Sequence, residues 1–198
     1  MRNSVLCWVV ALLLLSGCTK SIDAVIEKGT PVSPAATGFI RHTIPKGKHY
    51  SDLSTYKPVE TTEMKFIVRF DSSAVYSTES PENQYDINKL YGFSDNNMDH
   101  HQYSARLGWR WSDGALRLFA YIYNAGAVQS EEISTIPIGA DIACSIKATS
   151  NEYIFTVNGT TEKLPRLSTT PKAKGYQLYP YFGGNEPAPH EVRIWIKE

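Results

Sequence analysis

The chain has 198 residues, with 20 Lys and Arg against 20 Asp and Glu, 42% hydrophobic residues, 13 glycines and 11 prolines. That is the composition of one ordinary globular domain, and it excludes a disordered or collagen-like chain. A formal net charge of zero without a basic stripe leaves no surface to neutralise phosphates, so no nucleic-acid partner is expected.

In chain order, Met1 and Arg2 precede an apolar run from Val5 to Leu15, which closes on Leu15-Ser16-Gly17-Cys18. The run is shorter than the ~20 residues a membrane-spanning helix needs, and residues 1–17 read as a secretory signal peptide. Leu15-Ser16-Gly17-Cys18 resembles the lipobox of bacterial lipoproteins. The resemblance implies cleavage before Cys18, acylation of its thiol, and attachment to a bacterial membrane, expected to be the outer membrane of the cell envelope. Cys7 then leaves with the signal and Cys18 carries lipid, so Cys144 has no disulfide partner. Residues 18–37 contain Gly29, Pro31 and Pro34 and no sustained periodicity, which reads as a tether.

Residues 38–198 read as one all-β domain, a two-sheet antiparallel sandwich, because the dominant hydrophobic period is two. Met64, Phe66, Val68 and Phe70 alternate with polar neighbours, as do Leu107, Trp109 and Trp111 opposite Arg106 and Arg110. Ile142, Cys144, Ile146 and Ala148 form another such series, which makes Cys144 a core thiol. Tyr153-Phe155-Val157 and Val192-Ile194-Ile196 repeat the pattern, and Asp113-Gly114 and Asn158-Gly159 are tight-hairpin dipeptides.

The run from Cys144 to Gly159 and the closing run from Tyr179 to His190, which leads into the last strand, resemble the corresponding hairpins of concanavalin-like and laminin-G-like jelly rolls. Together with the lipobox, this is similar to the small lipoproteins that Bacteroidota place among their glycan-handling systems. The resemblance implies a carbohydrate ligand, although a fold alone does not fix function.

Strand parity supplies a site independently. Leu116, Leu118, Ala120 and Ile122 suit the core, which forces Arg117, Phe119, Tyr121 and Tyr123 onto the opposite face. Arg193 and Trp195 oppose Val192, Ile194 and Ile196 in the same way, and Tyr179 and Tyr181 oppose Leu178 and Pro180. Rings with guanidinium groups among them suit a sugar, whose C–H faces stack while its hydroxyls or carboxylates accept hydrogen bonds. These eight residues are the candidate ligand contacts. The competing reading is that the long polar segment 72–102 covers this face as a second core layer.

Within that segment Asp95, Asn97 and Asp99 alternate as calcium ligands can, but His100 and Arg106 stand where an EF-hand needs Gly and Glu. His100 and His101 are adjacent, which points extended neighbours apart, and no third metal ligand is evident, so both read as solvated loop residues. No Glu-x-Asp-x-x-Glu strand is present, and Glu131-Glu132 is adjacent rather than spaced to share a face, which argues against a glycoside hydrolase. Phe119 to Asn124 resembles the Tyr- and Asn-bearing strand of alginate-lyase jelly rolls, but that family's Arg-x-Glu-x-Arg and Gln-Ile-His motifs are missing. A lyase would rest on His190, Tyr121 and Arg117. The sequence therefore favours a lipid-anchored, carbohydrate-binding protein in which no paired-carboxylate or lyase motif is found, so that it leans away from an enzyme without excluding one. The alternatives are a lyase or hydrolase on the same scaffold, or a module that docks a protein partner through the aromatic face.

Overall fold

The computed structural model describes residues 38–198; the signal segment, Cys18 and the tether lie outside the described residues. Two six-stranded antiparallel sheets stack face to face. One has the order β1-β12-β3-β8-β9-β10, with β1 Ile40–Ile44, β3 Glu63–Phe70, β8 Ile142–Ala148, β9 Glu152–Val157, β10 Thr160–Pro165 and β12 Val192–Lys197. The other runs β2-β11-β4-β5-β6-β7, with β2 Pro58–Thr61, β4 Asn88–Ser94, β5 Tyr103–Ser112, β6 Ala115–Asn124, β7 Ala127–Ile136 and β11 Ala173–Leu178. This is the jelly-roll sandwich that the alternation predicts.

The core is built from the apolar positions of both sheets. Phe66, Val68 and Phe70 of β3, Ile194 and Ile196 of β12, and Tyr153 and Phe155 of β9 meet Leu107 and Trp109 of β5 and Leu116, Leu118 and Ile122 of β6. Trp109 is fully buried, edge-on to Tyr76 at 5.8 Å and tilted to Phe70 at 5.4 Å, separations at which ring edges meet ring faces favourably. Cys144 sits in this core, and burial pushes its thiol pKa up to about 12, so it packs as a small apolar group.

The hairpins follow their dipeptides. Asp113 and Gly114 take φ of 52° and 72°, and Asn158 and Gly159 take 47° and 90°, the left-handed pair a two-residue turn requires. The Asp113-Gly114 turn fixes the β5–β6 register, in which Ser112 faces Ala115, Arg110 faces Arg117 and Arg106 faces Tyr121.

Segment 72–102 is not one long loop. It contains 3-10 helices at Ser72–Ala74 and Pro81–Tyr85 and then β4, an interior strand of its sheet. A register shift between Lys89 and Tyr91 breaks the alternation, so Leu90, Tyr91 and Phe93 all reach the core and period two is lost where β4 begins.

Candidate functional site

The outward face of the β2-to-β7 sheet carries the polar and aromatic positions that parity assigns to it. In the paired rows, Gly92 of β4 lies beside Arg106, Arg106 beside Tyr121 and Tyr121 beside Ser130. The adjoining rows run Lys89–Gly108–Phe119–Glu132 and Ser94–Ser104–Tyr123–Val128. Gly92 is required by the close approach of β5: a Cβ there would stand 2.5 Å from Arg106 Cα and 2.6 Å from Arg106 Cβ.

Over these rows opens a cleft of about 330 Å³, lined by Lys89, His100, His101, Arg106, Tyr121, Tyr123 and the Gln177–Tyr181 segment, with Tyr50 and Ser54 at its edge. The segment after β11 forms one wall because Tyr181 and Lys89 exchange backbone hydrogen bonds, at 2.8 and 2.9 Å. The volume lies at the lower end of the range of small-molecule binding sites.

The electrostatics are one-sided. No Asp or Glu lines the cleft among the described residues. Arg106 is only 6% exposed, and among the described residues it forms no ion pair and its Nε has no hydrogen-bond partner. Burial pushes its pKa down from the usual guanidinium range. Lys89 Nζ donates to the Ile87 carbonyl at 2.6 Å and lies 4.7 Å from the Tyr121 ring centroid, whose other cationic neighbour is the Arg106 guanidinium at 5.6 Å. Burial, followed by the charge of Arg106, lowers the Lys89 pKa to about 8, and Asp86 opposes the shift. Burial and the neighbouring Tyr123 hydroxyl push the Tyr121 phenol well above its ordinary value. Burial, then Arg106, also lowers His100, which favours the neutral imidazole.

The predicted contacts divide between three places. Tyr121, Tyr123, Tyr179 and Tyr181 line the cleft, and the rings of Tyr121 and Tyr123 meet edge to face at 5.9 Å. Tyr181 also stacks on His49 at 5.4 Å, and Tyr179 packs inward against Tyr91. Phe119 and Arg117 share the face but not the cleft. Phe119 is sealed beneath Arg110, whose guanidinium lies 4.7 Å from its ring and is held by the Tyr85 carbonyl at 2.7 Å, so segment 72–102 does cover this end. Arg117 is paired with Glu132 at 2.9 Å and Asp113 at 3.5 Å.

Arg193 and Trp195 are placed elsewhere. They belong to β12 in the other sheet, where Trp195 lies between Arg41 and Arg69 and Arg193 binds Asp71 at 2.9 Å. Parity assigns each residue a face of its own strand but not which sheet that strand joins.

The calcium reading of Asp95, Asn97 and Asp99 finds no shared site, because the two carboxylates, those of Asp95 and Asp99, face separate sets of partners. Asp95 is fully buried and accepts from Arg166 Nε at 2.8 Å, Tyr153 Oη at 2.6 Å and the Lys174 and Asn96 backbone amides. Asp99 instead accepts from the His101 amide at 2.8 Å and Tyr176 Oη at 3.3 Å. The lyase set is likewise not assembled: His190 Nε2 contacts the Ser73 carbonyl at 2.9 Å and takes no part in the cleft.

Arg106 and Lys89 are the cleft residues that the sequence reading did not select. Arg106 was within reach, since parity sets it opposite Leu107 and Trp109 and the two-residue turn sets it beside Tyr121. Lys89 was not, because the irregularity in β4 hides its face.

No family model matches the chain, and no curated relative is detected. Among solved structures it is similar to the alginate lyase AlyC3, at 11% identity and a TM-score of 0.55 over 80% of this chain and 72% of that one. The same lyase in complex with dimannuronate gives 9% identity and a TM-score of 0.53 over 80% and 71%. The catalytic domain of an endo-1,3-beta-glucanase (laminarinase) from Thermotoga petrophila gives 12% and 0.53 over 82% and 76%. At these identities the likeness is one of fold, and the chain has the concanavalin-like jelly-roll sandwich of those proteins.

Proposed function

We propose that the cleft binds an acidic carbohydrate, a uronate-bearing oligo- or polysaccharide, on a protein held at a bacterial envelope by lipid on Cys18. The observation that carries this reading is Arg106, a buried guanidinium without a carboxylate partner beside a cleft that no acid lines. Leaving such a charge unpaired costs several kcal/mol by order of magnitude, and a ligand carboxylate arriving in the cleft would offset that cost. Tyr121 and Tyr123 supply ring faces and hydroxyls beside it, the combination that holds a sugar by stacking and hydrogen bonding at once.

Isothermal titration of the purified protein with oligomannuronate and with a neutral β-glucan tests the reading. Binding of the uronate alone, weakened by Tyr121→Ala, is the expected result. Equal binding of both sugars, or of neither, overturns it.

A second reading is supported by the placement of His101 and Tyr123, whose rings meet at 5.4 Å within the same cleft as Arg106. A uronate neutralised by Arg106 next to a base is the arrangement that β-elimination needs. Under that reading the oligomannuronate mixture would gain the ultraviolet absorbance of unsaturated products; a flat trace leaves the protein as a binder. A hydrolase has less support, since paired carboxylates are absent from the cleft lining.

A further inference from the structure

We propose that Asp99, His100 and His101 form a binding site for a divalent transition-metal ion, of the zinc(II) class, at the border of the cleft. The donor atoms of these three residues all lie within 4.8 Å of one another. Asp99 Oδ1 is 3.5 Å from His101 Nδ1, and Asp99 Oδ2 is 3.7 Å from His100 Nδ1. Zinc–ligand bonds of about 2.0–2.1 Å in tetrahedral geometry set ligand atoms roughly 3.4 Å apart, so donors spread over as much as 4.8 Å would draw together by up to about 1.4 Å to close around an ion.

A fourth oxygen borders the same point: Tyr176 Oη is 2.9 Å from His100 Nδ1 and 3.3 Å from Asp99 Oδ2. Because it holds His100 Nδ1, His100 would ligate through Nε2, its other ring nitrogen, with Tyr176 as an outer partner that also orients the Asp99 carboxylate.

The expectation that adjacent histidines diverge fails because the chain turns here. Gln102 and Tyr103 amides both donate to the Asp99 carbonyl, at 2.8 and 3.1 Å, and the His101 amide donates to the Asp99 side chain. The turn brings the two imidazoles to 4.1 Å between centroids and makes Asp99 the missing third ligand. Two imidazoles and one carboxylate select zinc, copper or nickel over calcium or magnesium, which prefer all-oxygen shells. Both histidines line the cleft, so an ion held between them stands beside whatever the cleft binds. The site does not depend on the acidic-carbohydrate reading, and the metal alone is its probe.

The test is calorimetric titration of the purified protein with zinc chloride, repeated with cobalt(II) as a spectroscopic probe. One ion per chain is expected, with the visible d–d bands of tetrahedral cobalt(II) and no sulfur charge-transfer band. His101→Ala and Asp99→Asn, both at exposed positions, should each weaken binding about tenfold or more without lowering the melting temperature, and Tyr176→Phe by about tenfold. Arg106→Met should tighten binding, because the charge of Arg106 reaches His100 and opposes a dication. Absence of binding at millimolar zinc, a thiolate charge-transfer band, or affinity unchanged in both His101→Ala and Asp99→Asn would overturn the proposal.

Discussion

The Arg106 guanidinium carbon lies 5.6 Å from the Tyr121 ring centroid, and the two residues face each other directly across β5 and β6. The ring is the only stabilising neighbour this buried cation has in ion-pair or cation–π contact among the described residues. A cation–π contact contributes on the order of 1 kcal/mol, less than the desolvation of a guanidinium costs. Arg106 is therefore held at the expense of folding stability, as binding groups are. Arg106→Met should leave the urea unfolding midpoint unchanged or raise stability by about 1 kcal/mol, while weakening uronate binding about 10- to 100-fold. A structural arginine would behave in the opposite way, losing stability on substitution.

Lys89 adds a pH dependence of defined sign. Its pKa in the folded protein is lowered to about 8 from an ordinary 10.5, so between those values the unfolded chain binds more protons than the native one. Folding stability therefore rises with pH across that window, as far as this group is concerned. Ligand binding moves the other way, because a neutral Lys89 no longer attracts a carboxylate, and uronate affinity should decline as pH climbs past about 8. Both trends should vanish in Lys89→Met, measured by titration calorimetry and urea melts from pH 7 to 10.5.

The fold was legible because most core strands alternate, and β3, β5, β6, β8, β9 and β12 bury the residues that period two selects. Strand β4 escaped for a physical reason: its bulge places Leu90 and Tyr91 in the core in succession, so the local pattern reads as neither strand nor helix. The site was half legible. Tyr121 and Tyr123 follow from parity in β6 alone, whereas Arg193 and Trp195 obey parity in a strand that joins the other sheet. His100 and His101 depended on a turn set by the Asp99 side chain and backbone, and composition of the loop does not reveal such a turn.

The lipid anchor proposed at Cys18 has a direct readout in cells. Metabolic labelling with a clickable fatty acid should mark the wild-type protein and leave Cys18→Ser unlabelled. Fractionation should then find the wild type with the membrane and the variant in the soluble fraction. An unlabelled wild-type protein would remove the anchor from the proposal and leave the cleft untouched.

Asp95 and Arg166 tie the β4 end of one sheet to the loop after β10, and the pair is almost wholly buried, with side-chain exposures of 0% and 1%. Burial alone would raise the Asp95 pKa, but hydrogen bonds from Arg166, Tyr153 and two backbone amides outweigh it and hold the carboxyl below its ordinary 3.8. Arg166 is satisfied in turn by the Thr149 carbonyl at 2.9 Å and Ser168 Oγ at 3.1 Å. Removing either partner strands a buried charge, so Asp95→Asn and Arg166→Met should each cost about 3–5 kcal/mol in urea unfolding. The double variant Asp95→Asn with Arg166→Met should cost less than the two single losses combined, because no charge is left behind. A depressed carboxylate contributes stability that is present above its unfolded pKa and lost as pH falls through its folded one. Acid unfolding of the wild type should therefore show a loss below pH 3.8 that is missing from Asp95→Asn, and identical acid profiles would show that the pair contributes nothing to the pH dependence.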